Sequence, residues 1–85
     1  MAYSLFFKRV AEKSIEKLSD KEKSKIDAVL SSLKEDPFSG KKLKGEFEGF
    51  YSVRMWPYRI IYTIFKKELI VLVVDVGHRK EVYKK

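Results

Sequence analysis

Five residues in the second half of the chain carry side chains that together can do phosphate chemistry. They are Arg54, Arg59, His78, Arg79 and Tyr83. Guanidinium groups stay charged at physiological pH and bind phosphate oxygens through two hydrogen bonds at once. A histidine, with an ordinary pKa of about 6.5, accepts or donates a proton near neutral pH. This set suits cleavage of an RNA phosphodiester by its own 2′-hydroxyl, with the arginines stabilising the charge that develops on the phosphate.

A predicted hairpin positions the two central arginines. Side chains alternate between two faces before and after Trp56-Pro57, which is typical of two strands. The dipeptide breaks the pattern because proline has no N–H for a strand ladder. Arg54 and Arg59 flank this break, one on each arm. The hairpin therefore predicts two arginines close to its tip.

A third predicted strand brings the end of the chain back to this tip. Residues 69–76 are β-branched and almost continuously apolar, which predicts an interior strand covered on both faces. Asp75 is its one charge, and we expect it to pair with a cation such as an arginine because a lone buried carboxylate is costly. If this strand runs antiparallel to the second arm of the hairpin, its end returns to the tip, and His78 and Arg79 are expected to lie beside Arg59.

The first half of the chain predicts the elements that support this sheet. Residues 2–7 are aromatic and apolar and predict a strand, and residues 8–18 have the apolar spacing of a helix. Ser19 and Glu22 form an S-x-x-E capping box, which starts a second helix. That helix is expected to end before Pro37, because the residue preceding a proline disfavours helical geometry.

The order of these elements predicts an α+β fold. An N-terminal strand is followed by a two-helix antiparallel hairpin and then by a three-stranded antiparallel meander, and the helices pack on one face of the sheet. The other face is expected to remain uncovered and to carry the polar residues of the strands. With 85 residues, the chain is predicted to form a single domain over 1–85.

The charge balance predicts a polyanionic or acidic partner. The chain has 19 Lys and Arg residues against 12 Asp and Glu, a net charge of +7 with histidine neutral. Lys41, Lys42 and Lys44 surround Leu43 in a segment predicted to be a loop before the hairpin. Such lysines either remain solvated or contact a nucleic-acid backbone, and their sequence leaves both alternatives open.

Several classes of protein are excluded or disfavoured by composition. The chain has no cysteine, which excludes disulfides and thiolate chemistry, and its single histidine argues against a transition-metal site. The charged residues Lys8 and Arg9 interrupt the first apolar run, so no signal peptide is predicted. No apolar run approaches the length of a membrane helix. We therefore expect a cytoplasmic protein without a membrane association or a cofactor.

Each candidate residue also has an ordinary structural interpretation. Arg59 could pair with Asp75 or a glutamate, and Arg54 could be a solvated surface residue. Single histidines such as His78 are more often surface or hydrogen-bonded residues, and Tyr83 could cover the edge of the core. The predicted convergence of these residues at one end of one sheet favours a site.

Four segments carry a resemblance to a known family. They are Asp36-Pro37-Phe38, Leu43-Lys44-Gly45, Tyr58-Arg59-Ile60-Ile61-Tyr62 and Val76-Gly77-His78-Arg79-Lys80-Glu81-Val82-Tyr83. Over nearly its full length the chain resembles the RelE/ParE superfamily of toxin–antitoxin toxins, and it is more similar to the RelE branch. The resemblance implies a small α+β toxin held in a heteromeric complex by a RelB-like antitoxin. In the RelE branch it also implies an endoribonuclease that cuts mRNA in the ribosomal A site.

The resemblance also implies roles for individual residues. Arg54, Arg59 and Arg79 match arginines that bind and stabilise the scissile phosphate. Tyr83 matches a tyrosine that contacts the substrate base or takes part in proton movement. Because Ser52 stands where some relatives carry a lysine proposed for proton transfer, His78 is predicted to take that role. The residues predicted to bind RNA are Lys41, Lys42, Lys44, Ser52 and Lys80.

Two other functions remain open from the sequence. A ParE-like toxin would inhibit DNA gyrase without cutting RNA, although the terminal Tyr83 is more typical of the RelE branch. A basic binding module without catalytic activity is the third alternative.

Overall fold

Two helices and five strands make up the described part of the chain. The computed structural model describes residues 2–78. Along the chain the elements are β1 (Ser4–Phe7), α1 (Arg9–Glu16), α2 (Asp20–Glu35), β2 (Lys41–Lys42), β3 (Phe50–Met55), β4 (Tyr58–Phe65) and β5 (Ile70–His78), with turns of 3-10 helix at Pro37–Ser39 and Gly45–Phe47. The strands form one sheet in the order β1-β5-β4-β3-β2. This arrangement confirms the predicted α+β fold. Neither helix combines the length and apolar character that crossing a bilayer requires.

The second helix begins at the predicted capping box. The Ser19 hydroxyl accepts a hydrogen bond from the Glu22 backbone N–H at 3.2 Å, and the Glu22 carboxylate accepts one from the Ser19 N–H at 3.0 Å. The bond from the Ser19 backbone lowers the pKa of Glu22, because it stabilises the ionised carboxylate. Two of the free N–H groups at this helix start are thereby satisfied.

Both helices pack on one face of the sheet, which we call the covered face. Apolar side chains from the helices meet side chains that alternate along β3, β4 and β5. The buried cluster consists of Ala11, Leu18, Ile26, Leu30 and Leu33 from the helical half and Met55, Ile60, Tyr62, Val71, Val73 and Val76 from the strands. We call the opposite side the open face.

Strand β5 differs from the prediction that both of its faces are covered. Val71 and Val73 are fully buried under the helices, whereas Leu72 and Val74 between them remain partly exposed. The prediction was wrong because a continuous apolar run does not reveal that helices cover one side only. Asp75 lies on the less covered side and is also partly exposed, so water reaches its carboxylate.

The segment before the hairpin differs from the predicted loop. Lys41 and Lys42 form the edge strand β2, and they pair antiparallel with Ser52 and Tyr51 of β3. Two lysines show no apolar alternation, so the sequence held no signal for this strand. The segment after β2 also folds over part of the open face, where Ile61 is only 4% exposed. The expectation of an uncovered polar face therefore holds only in part.

Candidate functional site

The two central arginines lie directly opposite each other near the hairpin tip. Arg54 of β3 pairs with Arg59 of β4 in the antiparallel register, so both side chains project from the same face. That face is the open face, since Met55 and Ile60 beside them belong to the buried cluster. Like charges directly across a strand pair are unfavourable. The predicted proximity of both arginines to the hairpin tip is confirmed.

Three lysines join Arg59 around one shallow hollow, which we call the basic depression. It measures about 500 Å³ and is lined by Lys41, Lys42, Leu43, Lys44, Phe47 and Arg59. The pairing of β2 with β3 places the lysine segment beside the hairpin. Four cations around an apolar floor favour a phosphate-bearing ligand over an apolar one. The sequence alone did not predict that these lysines line one hollow with Arg59.

His78 projects from the covered face, whereas the two arginines project from the open face. Its ring meets Tyr58 edge-on with centroids 6.3 Å apart, and it lines a hollow with Ser14 and Lys17 of the helical half. The side chains of Arg54 and Arg59 project from the other face. The antiparallel return to the tip is confirmed, and it places His78 opposite Tyr58, one position from Arg59. The expectation that the two side chains share one site is wrong, because they project from opposite faces of the sheet.

A β-bulge explains this reversal. The register between β4 and β5 shifts between Ile61 and Tyr62, which pair with Asp75 and Val73. Val74 is the extra residue, and one extra residue exchanges the faces of all later side chains. Without the bulge, His78 would share the open face with Arg59. Strict alternation of side chains along the sequence does not indicate where a strand contains a bulge.

Ser52 is buried, which contradicts its predicted contact with RNA. Its side chain is 2% exposed, between Lys41 on one neighbouring strand and Ile61 on the other. With so little of the residue exposed, RNA does not reach the hydroxyl in this conformation. The three lysines predicted with it are exposed.

The remaining predicted residues lie outside the described residues. These are Arg79, Lys80 and Tyr83. The convergence of three arginines is therefore confirmed for Arg54 and Arg59 only, and the place of the third stays a prediction.

Phe47, which had no predicted role, shapes this face. Phe47 lines the basic depression and also an adjoining hollow formed with Phe50, Ile61 and Val74. Lys8 and Asp75 are at the margin of that second hollow. Phe47 stands between two glutamates in a segment with loop character, and the only available signal was its isolated aromatic character.

Comparisons with known proteins identify the family. Residues 5–83 match the family model of the ParE toxin of the type II toxin–antitoxin system parDE. Toxin RelG of Mycobacterium tuberculosis is 28% identical over 87 residues, covering 100% of both proteins. The toxin in the RelBE2 toxin–antitoxin complex of M. tuberculosis superposes with a TM-score of 0.83 at 27% identity, over 93% of this chain and 100% of that chain. The isolated E. coli RelE toxin gives a TM-score of 0.80 at 30% identity, over 96% and 92%. The chain therefore belongs to the ParE toxin family and is a toxin of the RelE/ParE superfamily of type II toxin–antitoxin systems.

Proposed function

We propose that this toxin is an endoribonuclease that cuts mRNA bound in the ribosomal A site. The observation that carries the proposal is the pair Arg54 and Arg59, facing each other on the open face with the lysines of the basic depression beside them. Two guanidinium groups held on a rigid hairpin offer several hydrogen-bond donors to one phosphate. A shallow basic surface also suits an extended polyanion better than a small enclosed ligand.

The reaction proceeds within the RNA itself. The 2′-oxygen loses its proton and attacks the adjacent phosphorus, which forms a cyclic phosphate, and the 5′-oxygen leaves with a proton. Negative charge increases on the phosphate oxygens in the transition state. Arg54 and Arg59, with Arg79 as the third predicted arginine, stabilise that charge, and removing one such preorganised donor typically costs about 100-fold to 1000-fold in rate.

The residue that transfers protons in this reaction is harder to assign than the phosphate-binding arginines. His78 was the predicted base, but its ring lies with Tyr58 on the covered face, away from the arginine pair. Tyr83 is the other residue predicted to move protons or to contact the base. We therefore assign His78 no direct part in the reaction and keep Tyr83 as the candidate.

The lysines of the basic depression bind the RNA backbone on either side of the cut. Lys41, Lys42 and Lys44 are exposed and lie next to Arg59. Each lysine that neutralises a phosphate releases counterions, so binding should weaken steeply with salt. Lys80 is predicted to extend this surface.

An antitoxin is the proposed protein partner. The RelBE2 relative forms a toxin–antitoxin complex, and the net charge of +7 of this chain suits an acidic, RelB-like segment. We propose that such a segment covers the toxin in a cytoplasmic heteromeric complex.

The test is a reconstituted translation reaction that contains a defined mRNA. Purified toxin is added with and without ribosomes, and the new RNA 5′ ends are mapped. We expect cuts within the codon in the A site that require ribosomes, and much weaker cutting by the Arg59→Ala and Arg79→Ala variants. Transcripts that stay intact while translation or growth stops would overturn the nuclease assignment.

A gyrase-directed toxin is the second candidate. It is favoured by one observation, the match of residues 5–83 to a model built on ParE toxins. Purified toxin would then block DNA supercoiling by gyrase or cause cleaved DNA to accumulate, with mRNA unaffected. The same protein preparation, tested on gyrase and in the translation reaction, decides between the two functions.

A further inference from the structure

A buried hydrogen bond fixes the chain just before the lysines of the basic depression. The ring of Tyr62 is fully buried, and its hydroxyl donates to the backbone carbonyl of Pro37 at 2.6 Å. This bond joins the centre of the sheet to the segment that follows α2. A buried hydroxyl without a partner would be costly, so the bond fixes the position of the Pro37 carbonyl.

Gly40 completes this contact. A Cβ atom at Gly40 would overlap the Tyr62 hydroxyl and would lie 3.1 Å from the Ser52 carbonyl oxygen. The backbone there approaches the tyrosine more closely than any side chain would permit. We call Pro37, Gly40 and Tyr62 together the tyrosine anchor.

Neighbouring rings hold the tyrosine in place. Tyr51 stacks on Tyr62 with centroids 5.6 Å apart and an interplanar angle of 18°, and Phe38 meets Tyr51 edge-on at 6.1 Å. Burial raises the pKa of Tyr62 to about 12, although hydrogen bonding from the Gly40 backbone opposes the increase. The hydroxyl therefore stays protonated at neutral pH and keeps donating to Pro37.

The chain passes from this anchor directly into the basic depression. Gly40 is followed by β2, where Lys41 pairs with Ser52. Beyond β2, the Leu43 N–H donates to the Phe50 carbonyl at 3.0 Å. An edge strand of two residues has few ladder bonds and is weak alone. Its position therefore depends on the contacts at its two ends, which are the tyrosine anchor before Lys41 and the Leu43–Phe50 hydrogen bond after Lys42.

We propose that Tyr62 is a positioning residue, which acts through Pro37 and Gly40 to hold the lysines of the basic depression beside Arg59. This inference rests on the proposed function only for the claim that these lysines bind RNA. The physical part, that a hydroxyl on the covered face sets the place of Lys41, which shares the open face with its partner Ser52, stands on the contacts above.

Hydrogen exchange measures the physical part without any RNA. In the full-length Tyr62→Phe variant, the Leu43 amide should lose protection by about tenfold or more relative to the wild type, as expected when a buried carbonyl loses its donor. The amides shared by β4 and β5 should lose less. Tyr51→Phe is the matched control, since it removes the same atom from the stacked neighbouring ring, and it should leave Leu43 protected. Equal loss at every amide, or an unchanged Leu43, would overturn the inference.

The functional part is measured by the salt dependence of RNA binding. The probe is a fully 2′-O-methylated single-stranded RNA, which cannot be cut through its 2′-oxygen. Each phosphate contact contributes about 0.7 to the slope of log affinity against log salt. Tyr62→Phe should lower the slope by at least one such contact, as Lys41→Ala should, while Tyr51→Phe keeps the wild-type slope.

A purely structural role of Tyr62 would weaken the fold without changing the salt slope, and that result would contradict the inference. Absence of RNA binding by the wild type would count against the proposed function. Hydrogen exchange at the Leu43 amide would still show whether the tyrosine anchor positions this segment.

Discussion

The two faces of the sheet differ in what their side chains do. On the covered face, Ile60 and Val73 are completely buried under the helices, and they supply the apolar contacts that hold the fold together. On the open face, Arg54 and Arg59 face each other with like charge, and the repulsion between two like charges does not favour folding. The difference teaches that β4, at the hairpin tip, carries stability on one side at Ile60 and the proposed chemistry on the other at Arg59, while Ile61 farther along the open face is again buried. Substitutions at neighbouring positions should therefore have separable effects.

The largest expected effect is on the covered face. Ile60→Ala should lower the free energy of unfolding by about 2–5 kcal/mol, because it leaves a cavity at a fully buried site. Urea denaturation measures the change as a shift of the midpoint. Phe65→Ala removes a larger side chain that is 45% exposed and should cost about 1 kcal/mol or less. Similar costs at the two positions would remove the proposed division between the faces.

The next effect is on activity without loss of the fold. Arg59→Ala should reduce mRNA cleavage about 100-fold to 1000-fold, since it removes one preorganised phosphate donor. The variant should unfold at nearly the wild-type urea concentration, because Arg59 is not part of the buried cluster. Lys67→Ala is the control, as it removes the same charge from an exposed turn at the other end of β4. Cleavage by the Lys67 variant should stay close to the wild-type rate.

A smaller effect concerns the pH dependence of stability. The pKa of Tyr62 is about 12 in the folded protein, above the ordinary value of about 10 for an unfolded tyrosine. The unfolded state therefore loses this proton first, and the stabilisation is complete below pH 10 and decreases as the pH rises towards 12. The stability gap between the wild type and Tyr62→Phe should narrow across that window in urea titrations. A constant gap would contradict the assigned protonation.

The smallest effect is expected at the one histidine. His78→Ala should change cleavage by only a few-fold, because its ring lies with Tyr58 on the covered face. Single-turnover cleavage rates from pH 5.5 to 8 should have the same profile in the variant and the wild type. Loss of cleavage comparable to that of Arg59→Ala would place the histidine in the reaction and would break the comparison between the faces.

Local signals in the sequence predicted local structure well. The capping box at Ser19 and Glu22 started a helix as expected, because its hydrogen bonds involve residues three positions apart. The break at Trp56-Pro57 likewise predicted a hairpin with Arg54 and Arg59 on its two arms, and the structure pairs them directly. Each of these inferences needed only neighbouring residues.

Tertiary features of the site could not be predicted in this way. Strand β2 exists because two lysines pair with Ser52 and Tyr51, and no propensity of lysine predicts that pairing. The bulge that moves His78 to the covered face is set by the fit of β5 against β4. One unpredicted residue in a strand thus reversed the assignment of a candidate base.

The parallel pairing of the first and last described strands has a consequence for how the protein is made. Ser4 of β1 pairs with Ile70 of β5, and β5 lies between β1 and β4. A nascent chain that has not yet reached β5 leaves its first strand without a neighbour and its helices without much of the surface they cover. Contacts so distant in sequence form late. A translation product that stops before β5 should therefore be unable to complete the sheet, and a cell would meet the folded toxin only after β5 has been made.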